Sequence, residues 1–154
     1  MLTHAIDQTS DAAALTELVL EVFRLNGALV AFGDELVAPL GLTSARWQVL
    51  GSLSLADGPL TVPEIAEAMG LTRQGAQRQV NLLLDDGLVR RRPNPGHRRS
   101  SFIELTRAGR SAYDGASRAW DRHARRLAEL AGSRAVRTST STLRRLASNL
   151  EGEA

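Results

Sequence analysis

Residues 71–80, LTRQGAQRQV, bring two arginines and three glutamines together on a short predicted helix, with a glycine and an alanine between them. Arginine can form paired hydrogen bonds with guanine, and glutamine can do so with adenine. The small residues keep the helix slim where it meets a groove or its own core. These residue types therefore suit the reading of base edges in DNA. A solvated helix face could have the same composition, so the neighbouring elements have to distinguish the two.

This stretch lies in the second helix of a predicted helix–turn–helix. Thr61-Val-Pro-Glu64 has the pattern of a capping box with proline in the first turn, which opens a short first helix that Gly70 ends. Thr72 can cap the second helix and Gly87 can end it. The buried stripe of the second helix is predicted to hold Ala76, Val80, Leu83 and Leu84.

A change of periodicity follows the second helix. LVRRRP at 88–93 and SSFIELT at 100–106 are typical of strands, and the Pro/Gly loop PNPGHRR joins them. A helix–turn–helix followed by a two-stranded hairpin is a winged helix. Its second helix fits the major groove of B-DNA, and the hairpin, or wing, reaches the backbone or a narrow minor groove that suits arginine.

The residues predicted to contact DNA belong to the second helix and to the wing. They are Thr72, Arg73, Gln74, Gln77, Arg78 and Asn81 on the helix, and His97, Arg98 and Arg99 on the wing. The start of the helix also leaves backbone N–H groups free, which favours a nearby phosphate.

The net charge of +2 is unevenly spread along the chain. Residues 1–45 carry six acids against one arginine, a net −5, whereas residues 71–110 carry nine arginines against three acids, a net +6. A basic segment inside a nearly neutral chain indicates a local anionic partner. All 19 basic residues are arginine. Codon bias in a GC-rich genome accounts for that preference but leaves the clustering unexplained.

Apolar residues at helical spacing flank the winged helix on both sides. The helices predicted on its two sides span about 11–38, 106–131 and 133–150, and a further helix at 43–55 lies within the winged-helix domain. The fold class is therefore mainly α, with a two-stranded β wing. The predicted domains are an N-terminal arm (1–40), a winged helix-turn-helix domain (41–106) and C-terminal helices (107–154). The winged helix is too small to cover the apolar stripes of both arms, which predicts a homodimer.

Other classes of protein find little support in the sequence. The chain has no cysteine, which excludes disulfides and thiolate metal sites. His4, His97 and His123 are scattered, and no nucleophile elbow or Gly-rich phosphate loop is present. Asp121 and His123 are too close in one helix to share a face, so they are a poor pair of metal ligands. Together these observations predict no metal site, no cofactor and no enzyme activity. No secretory pattern or apolar stretch of ~18 residues is present, so we expect a cytoplasmic protein outside the membrane.

The middle of the chain resembles the MarR (multiple antibiotic resistance regulator) family of transcription factors. The resemblance is carried by LTSARWQVL at 42–50, by TVPEIAEAMGLTRQGAQRQVNLLLDDGLVRRRPNPGHRRS at 61–100 and by IELTRAGR at 103–110. Many members have an acid two residues before an arginine of the wing, where the two form an ion pair. Here Asn94 and His97 stand where acids are common, so Arg99 would need Asp85, Asp86 or Glu104 as its partner.

The resemblance implies a homodimer assembled by the N- and C-terminal helices. It also implies a small aromatic or phenolic effector, bound between the arms and the winged helix, that releases the DNA. The matching positions lie on the first, second and fifth helices and are Phe23, Asn26, Arg46, Trp47 and Tyr113. Each of these residues also has an ordinary explanation as a core or surface residue.

The function predicted from these observations is that of a sequence-specific transcription regulator. It would act as a repressor, bind an inverted-repeat operator in double-stranded DNA as a homodimer, and respond to a small aromatic effector. The alternative is a winged-helix protein-interaction module without sequence-specific DNA binding.

Overall fold

The computed structural model describes residues 10–153, which fold into six α-helices and one two-stranded antiparallel sheet. The elements in chain order are α1 (Asp11–Val37), α2 (Ser44–Leu55), α3 (Val62–Met69), α4 (Arg73–Asp85), β1 (Val89–Arg92), β2 (Phe102–Leu105), α5 (Arg107–Ala131) and α6 (Ser133–Glu153). A single 3-10 turn, Ala38–Leu40, follows α1. Residues 1–9 of the predicted N-terminal arm lie outside the described residues.

The described chain forms two compact units, of which the first runs to Ala116 and the second begins at Ser117. The first unit contains the hydrophobic core. Its fully buried members come from α1 through β2 and from the start of α5, and the largest are Val37, Val49, Leu50, Ile65, Val80, Leu83 and Ile103. The second unit consists of the rest of α5 and α6. The predicted division at 40 and 106 remains a prediction.

The wing is a short sheet with one additional pairing. Val89 pairs with Leu105 and Arg92 with Phe102 at the two ends of the antiparallel ladder. Leu60, just before α3, pairs with Ile103 on the other edge of β2. This pairing ties the wing to the chain that enters the helix–turn–helix.

Two polar contacts join α1 to α2. The Ser44 N–H donates to Asp34 Oδ1 at 2.7 Å, and the Ser44 hydroxyl donates to the Val30 carbonyl oxygen at 2.9 Å. Ser44 is buried at this crossing, and a methyl group on Gly33 would overlap its hydroxyl. The crossing therefore needs glycine at 33 and a small polar residue at 44.

Several element ends differ from the sequence-based predictions. The strands are shorter than 88–93 and 100–106, because the Leu88 N–H closes the end of α4 on the Leu83 carbonyl and Ser100 belongs to a turn with His97. The first helix ends at Val37, one residue before its predicted end. The last helix runs to Glu153, beyond the predicted 150. Within residues 10–153, no helix is long and apolar enough to cross a membrane.

Candidate nucleic-acid interface

The start of α4 is held by a threonine cap and by its buried face. The Gly75 N–H donates to Thr72 Oγ1 at 3.0 Å, which satisfies one of the N–H groups that a helix start leaves unpaired. Gly70 ends α3 in the left-handed region at φ 62°. Ala76 and Val80 are completely buried, so the opposite face of α4 is turned to solvent.

A groove of about 580 Å³ lies between α4 and the wing. It is lined by Val62, Pro63, Arg73, Gln74, Gln77, Arg91, Arg99, Ser100, Ser101 and Ile103. The groove brings Arg73, Gln74 and Gln77 of the predicted helix surface together with Arg99 of the predicted wing surface. Among the described residues no carboxylate lines it, so its three arginines create a locally positive channel with hydroxyl and amide groups beside them.

The three arginines of β1 alternate between the two faces of the strand. Arg90 Nε donates to Glu104 Oε1 at 2.7 Å, and Arg92 Nη1 lies 3.5 Å from Glu104 Oε2. The Arg92 guanidinium also lies 5.8 Å from the centre of the Phe102 ring. Arg91 points to the opposite face of the strand and lines the groove. Arg91 is absent from the residues predicted to contact DNA, although alternation along a strand beginning at buried Val89 could have indicated it.

The wing tip is a tight turn stabilised by two hydrogen bonds that Asn94 accepts. The Gly96 N–H donates to Asn94 Oδ1 at 3.2 Å, and the His97 N–H donates to the Asn94 carbonyl oxygen at 3.2 Å. His97, Arg98 and Arg99 are all exposed. Arg99 lines the groove beside α4, whereas Arg98 lines a second concavity with Arg92 and the turn prolines.

The three acids considered as partners for Arg99 do not pair with it. Glu104 pairs with Arg90 and Arg92, and Asp86 pairs with Arg46. Asp85 is exposed and has no ion pair within residues 10–153. In the described chain Arg99 therefore lines the groove without a carboxylate partner.

The other predicted helix residues also lie on the outer face of α4. Gln77 Nε2 donates to Asn81 Oδ1 at 2.8 Å. Arg78 is exposed and lies outside the residues that line the groove. All nine predicted DNA contacts are thus on α4, at its cap or on the wing, and five of the nine do not line the groove itself: Thr72, Arg78, Asn81, His97 and Arg98.

The residues predicted for an effector site are spread over three helices. Phe23 is 70% exposed on α1, and Asn26 is exposed on the same helix. Trp47 and Tyr113 are half-buried against the core, Tyr113 beside Gly51. Arg46 donates to Asp86 at the end of α4, and its Nε is buried with no hydrogen-bond partner in the described chain. Arg46 therefore braces α4 from α2, a role that its sequence position alone does not indicate.

Comparison with known proteins identifies the family. The model of the MarR family matches residues 40–100, the region from the end of the 3-10 turn to the wing. An uncharacterised protein of Mycobacterium tuberculosis is 38% identical over 139 residues, which is 90% of this chain and 96% of that protein. The chain belongs to the MarR family. The match includes α2, α3, α4 and β1 and ends just before β2.

Solved structures of transcription regulators have the same fold. CouR in complex with a 23-mer DNA duplex is 28% identical, covers 92% of this chain and 98% of its own, and superposes with a TM-score of 0.75. CouR from Rhodococcus jostii bound to p-coumaroyl-CoA is 25% identical, with coverages of 84% and 91% and a TM-score of 0.75. The M. tuberculosis regulator MosR in complex with DNA is 28% identical, with coverages of 86% and 96% and a TM-score of 0.67. The predicted mainly α winged helix is confirmed, and the chain has the fold of a DNA-binding regulator.

Proposed function

We propose that the protein is a sequence-specific transcription repressor that binds an inverted-repeat operator as a homodimer. The observation that carries the proposal is the groove between α4 and the wing, where Arg73, Arg91 and Arg99 converge and no carboxylate of the described chain joins them. An uncompensated channel of guanidinium groups beside amide side chains matches a phosphate backbone running beside readable bases.

The two elements that border the protein groove would bind two different grooves of the DNA. With α4 in the major groove and the wing at the adjacent minor groove, one sugar–phosphate strand has to pass between them. Arg73, Arg91 and Arg99 would contact the phosphates of that strand. Gln74, Gln77 and Arg78 would face base edges, and His97 and Arg98 would reach the backbone or minor groove at the wing tip.

The arms support the homodimer. From Ala14 to Ala31 every residue of α1 is exposed in the described chain, including Leu20 at 63% and Phe23 at 70%. On α6, Val136, Leu143 and Leu150 are also exposed. Apolar surface of this extent on two helices is typical of a subunit interface, and a two-fold dimer buries the same stripe on both copies.

The relatives support a repressor with an aromatic effector. CouR, called a transcriptional repressor in its DNA complex, also binds p-coumaroyl-CoA, and MosR binds DNA. We extend this chemistry to a small aromatic effector here, with Phe23, Asn26, Trp47 and Tyr113 as its contacts. Arg46 would link that site to α4, since its guanidinium already holds Asp86.

Selection of bound fragments from a pool of random duplexes tests the proposal. The retained fragments should share an inverted repeat whose half-sites are centred about 10–10.5 base pairs apart, roughly 34–36 Å. Affinity for that operator should exceed affinity for a scrambled duplex by roughly 10³-fold or more at physiological salt. Equal affinity for the two duplexes would overturn sequence-specific regulation. Absence of any salt-dependent binding would favour a protein-interaction module.

A further inference from the structure

Two amide side chains on the exposed face of α4 are joined to each other. Gln77 Nε2 donates to Asn81 Oδ1 at 2.8 Å across one helical turn. Gln77 is half-buried at the wall of the groove, and Asn81 is fully on the surface one turn further from the helix start. Residues four apart on a helix are neighbours, so this bond needs no distortion of the backbone.

The bond sets the order of oxygen and nitrogen at Gln77 in the arrangement where Asn81 presents its Oδ1. The terminal torsion of a glutamine is broad and roughly two-fold, so an isolated amide can present its oxygen and nitrogen in either order. A hydrogen bond from Nε2 to Asn81 places the nitrogen toward the C-terminal side of α4. It leaves Oε1 and the second N–H of Gln77 side by side, as one acceptor and one donor.

This fixed pair of atoms matches one base in the major groove. Adenine offers an acceptor at N7 and a donor at N6, which complement the free N–H and Oε1 of an amide. Guanine offers two acceptors, N7 and O6, so Oε1 would face an acceptor. Cytosine and thymine each lack one half of the match.

We propose that Gln77 reads an adenine in each operator half-site and that Asn81 is the positioning residue that orients the Gln77 amide. This inference rests on the proposed function. It adds the identity of one base pair and a role for Asn81 that involves no DNA contact of its own.

The test uses the full-length protein and an operator selected from random duplexes. Each base pair of the half-site is replaced in turn, and the dissociation constant is measured by fluorescence anisotropy at one salt concentration. For the wild type, replacing one A·T pair by G·C should cost roughly 5- to 150-fold in affinity, the range for a paired base contact. Gln77→Ala should abolish that discrimination and leave the other positions unchanged.

The variants of Asn81 separate positioning from direct contact. Asn81→Ala should reduce the ratio of the affinities for the operator and for its A·T-to-G·C variant several-fold, because the Gln77 amide is then no longer oriented. Asn81→Asp keeps an acceptor for Gln77 Nε2, so it should keep the preference. Gln77→Glu removes the donor and should move the preference toward cytosine, whose N4 group donates. Gln79→Ala, which changes the same residue type outside the groove, is the matched control and should leave all preferences unchanged.

Three results would overturn the assignment. One is a guanine preference that depends on Gln77. Another is full adenine discrimination in Asn81→Ala, and the third is a loss in Asn81→Ala at a different base pair, which would mean that Asn81 contacts DNA itself. Failure of the proposed function is a separate result, because the wild type would then show no preference at any position.

Discussion

The consecutive arginines of β1 have the same chemistry but different electrostatic surroundings. Glu104 binds both Arg90 and Arg92, which leaves Arg91 as the one of the three that faces the groove. Exposed ion pairs such as these add little stability, typically ~0–1 kcal/mol. Their effect on binding is larger in principle, because a guanidinium that already has a carboxylate neutralises a phosphate less well. The ion pairs with Glu104 thus give Arg90 and Arg92 a different electrostatic role from Arg91.

Changing Arg91 to Ala should therefore weaken DNA binding more than changing Arg90 to Ala. If Arg91 neutralises one phosphate per subunit, the slope of log affinity against log salt should fall by about 0.9 for each phosphate that the variant dimer no longer neutralises. Operator and random duplexes should lose affinity alike, since phosphates carry no sequence information. Titrations at several salt concentrations measure both quantities. Equal slopes for the two variants would place Arg91 outside the interface.

At the scale of elements, α5 begins against the backbone that links α4 to β1. The Thr106 hydroxyl lies 2.8 Å from the Gly87 carbonyl oxygen and accepts from the Gly109 N–H at 3.0 Å. Gly109 is buried, and a methyl group there would overlap the Leu88 carbonyl oxygen. The close approach of two backbones fixes where the wing starts relative to α5.

Changing Gly109 to Ala should accordingly destabilise the first unit. The added methyl meets backbone atoms that cannot rotate away, and overpacking of this kind costs about 1–3 kcal/mol or more. Gly58→Ala is the matched control, because position 58 has open space around it and no left-handed backbone. Denaturant unfolding at one protein concentration should separate the two variants. Equal midpoints would show that the wing and α5 can move apart without cost.

The capping box of α3 makes a smaller contribution that depends on pH. The backbone N–H and the hydroxyl of Thr61 both donate to Glu64 Oε2 at 2.7 Å. These bonds, the backbone one first, hold the pKa of Glu64 below its ordinary value. A lowered folded-state pKa stabilises the protein above the unfolded pKa of ~4.3, and the contribution is lost as pH falls through the folded value.

Glu64→Gln should thus be less stable than the wild type at neutral pH and equal to it in acid. The difference should be roughly a few tenths of a kcal/mol, because the carboxylate is exposed and screened by solvent. Denaturant unfolding at neutral pH and below about pH 4 measures it. A difference that grows in acid would contradict the sign of the pKa change.

At the scale of the whole molecule, the exposed apolar residues of α1 are the feature that the single chain leaves unexplained. Leu15, Val19 and Val22 are each more than a third exposed and lie on one helical stripe. The same chain carries Leu143 and Leu150 exposed on α6, with Leu146 half-buried between them. A second copy of the chain would remove this surface from water in the proposed dimer.

Val22→Glu and Leu146→Glu should each disrupt that dimer. Either change would bury an unpaired carboxylate at the proposed interface, which is strongly unfavourable. Arg24→Glu on the same arm is the control, since Arg24 is 80% exposed beside Glu21 on the polar side of α1 and the new carboxylate can stay in solvent. Mass measurement in solution at micromolar concentration should give a dimer for the wild type and the control. A stable, folded wild-type monomer under these conditions would remove the basis of the inverted-repeat operator as well.

Much of this architecture follows from local patterns. Caps at Ser10, Thr43 and Thr72 and stops at Gly70, Gly87 and Gly132 predict helix ends to within a few residues, because capping depends on groups within one turn. The change from helical to alternating periodicity predicts the wing. The family match confirms the winged helix, and the DNA contacts themselves stay predictions.

What the sequence by itself determined is which residues share a helix face or a strand, since that depends on spacing along the chain. The tertiary structure alone decided which charges meet. Glu104 could have paired with Arg99, but the antiparallel register sets it opposite Arg90. Arg46 and Asp86, forty residues apart, meet only because α2 packs against α4. Contacts between distant segments depend on how elements pack, and no local spacing encodes them. The groove lined by Arg73, Arg91 and Arg99 likewise forms only when α4 and the wing pack together.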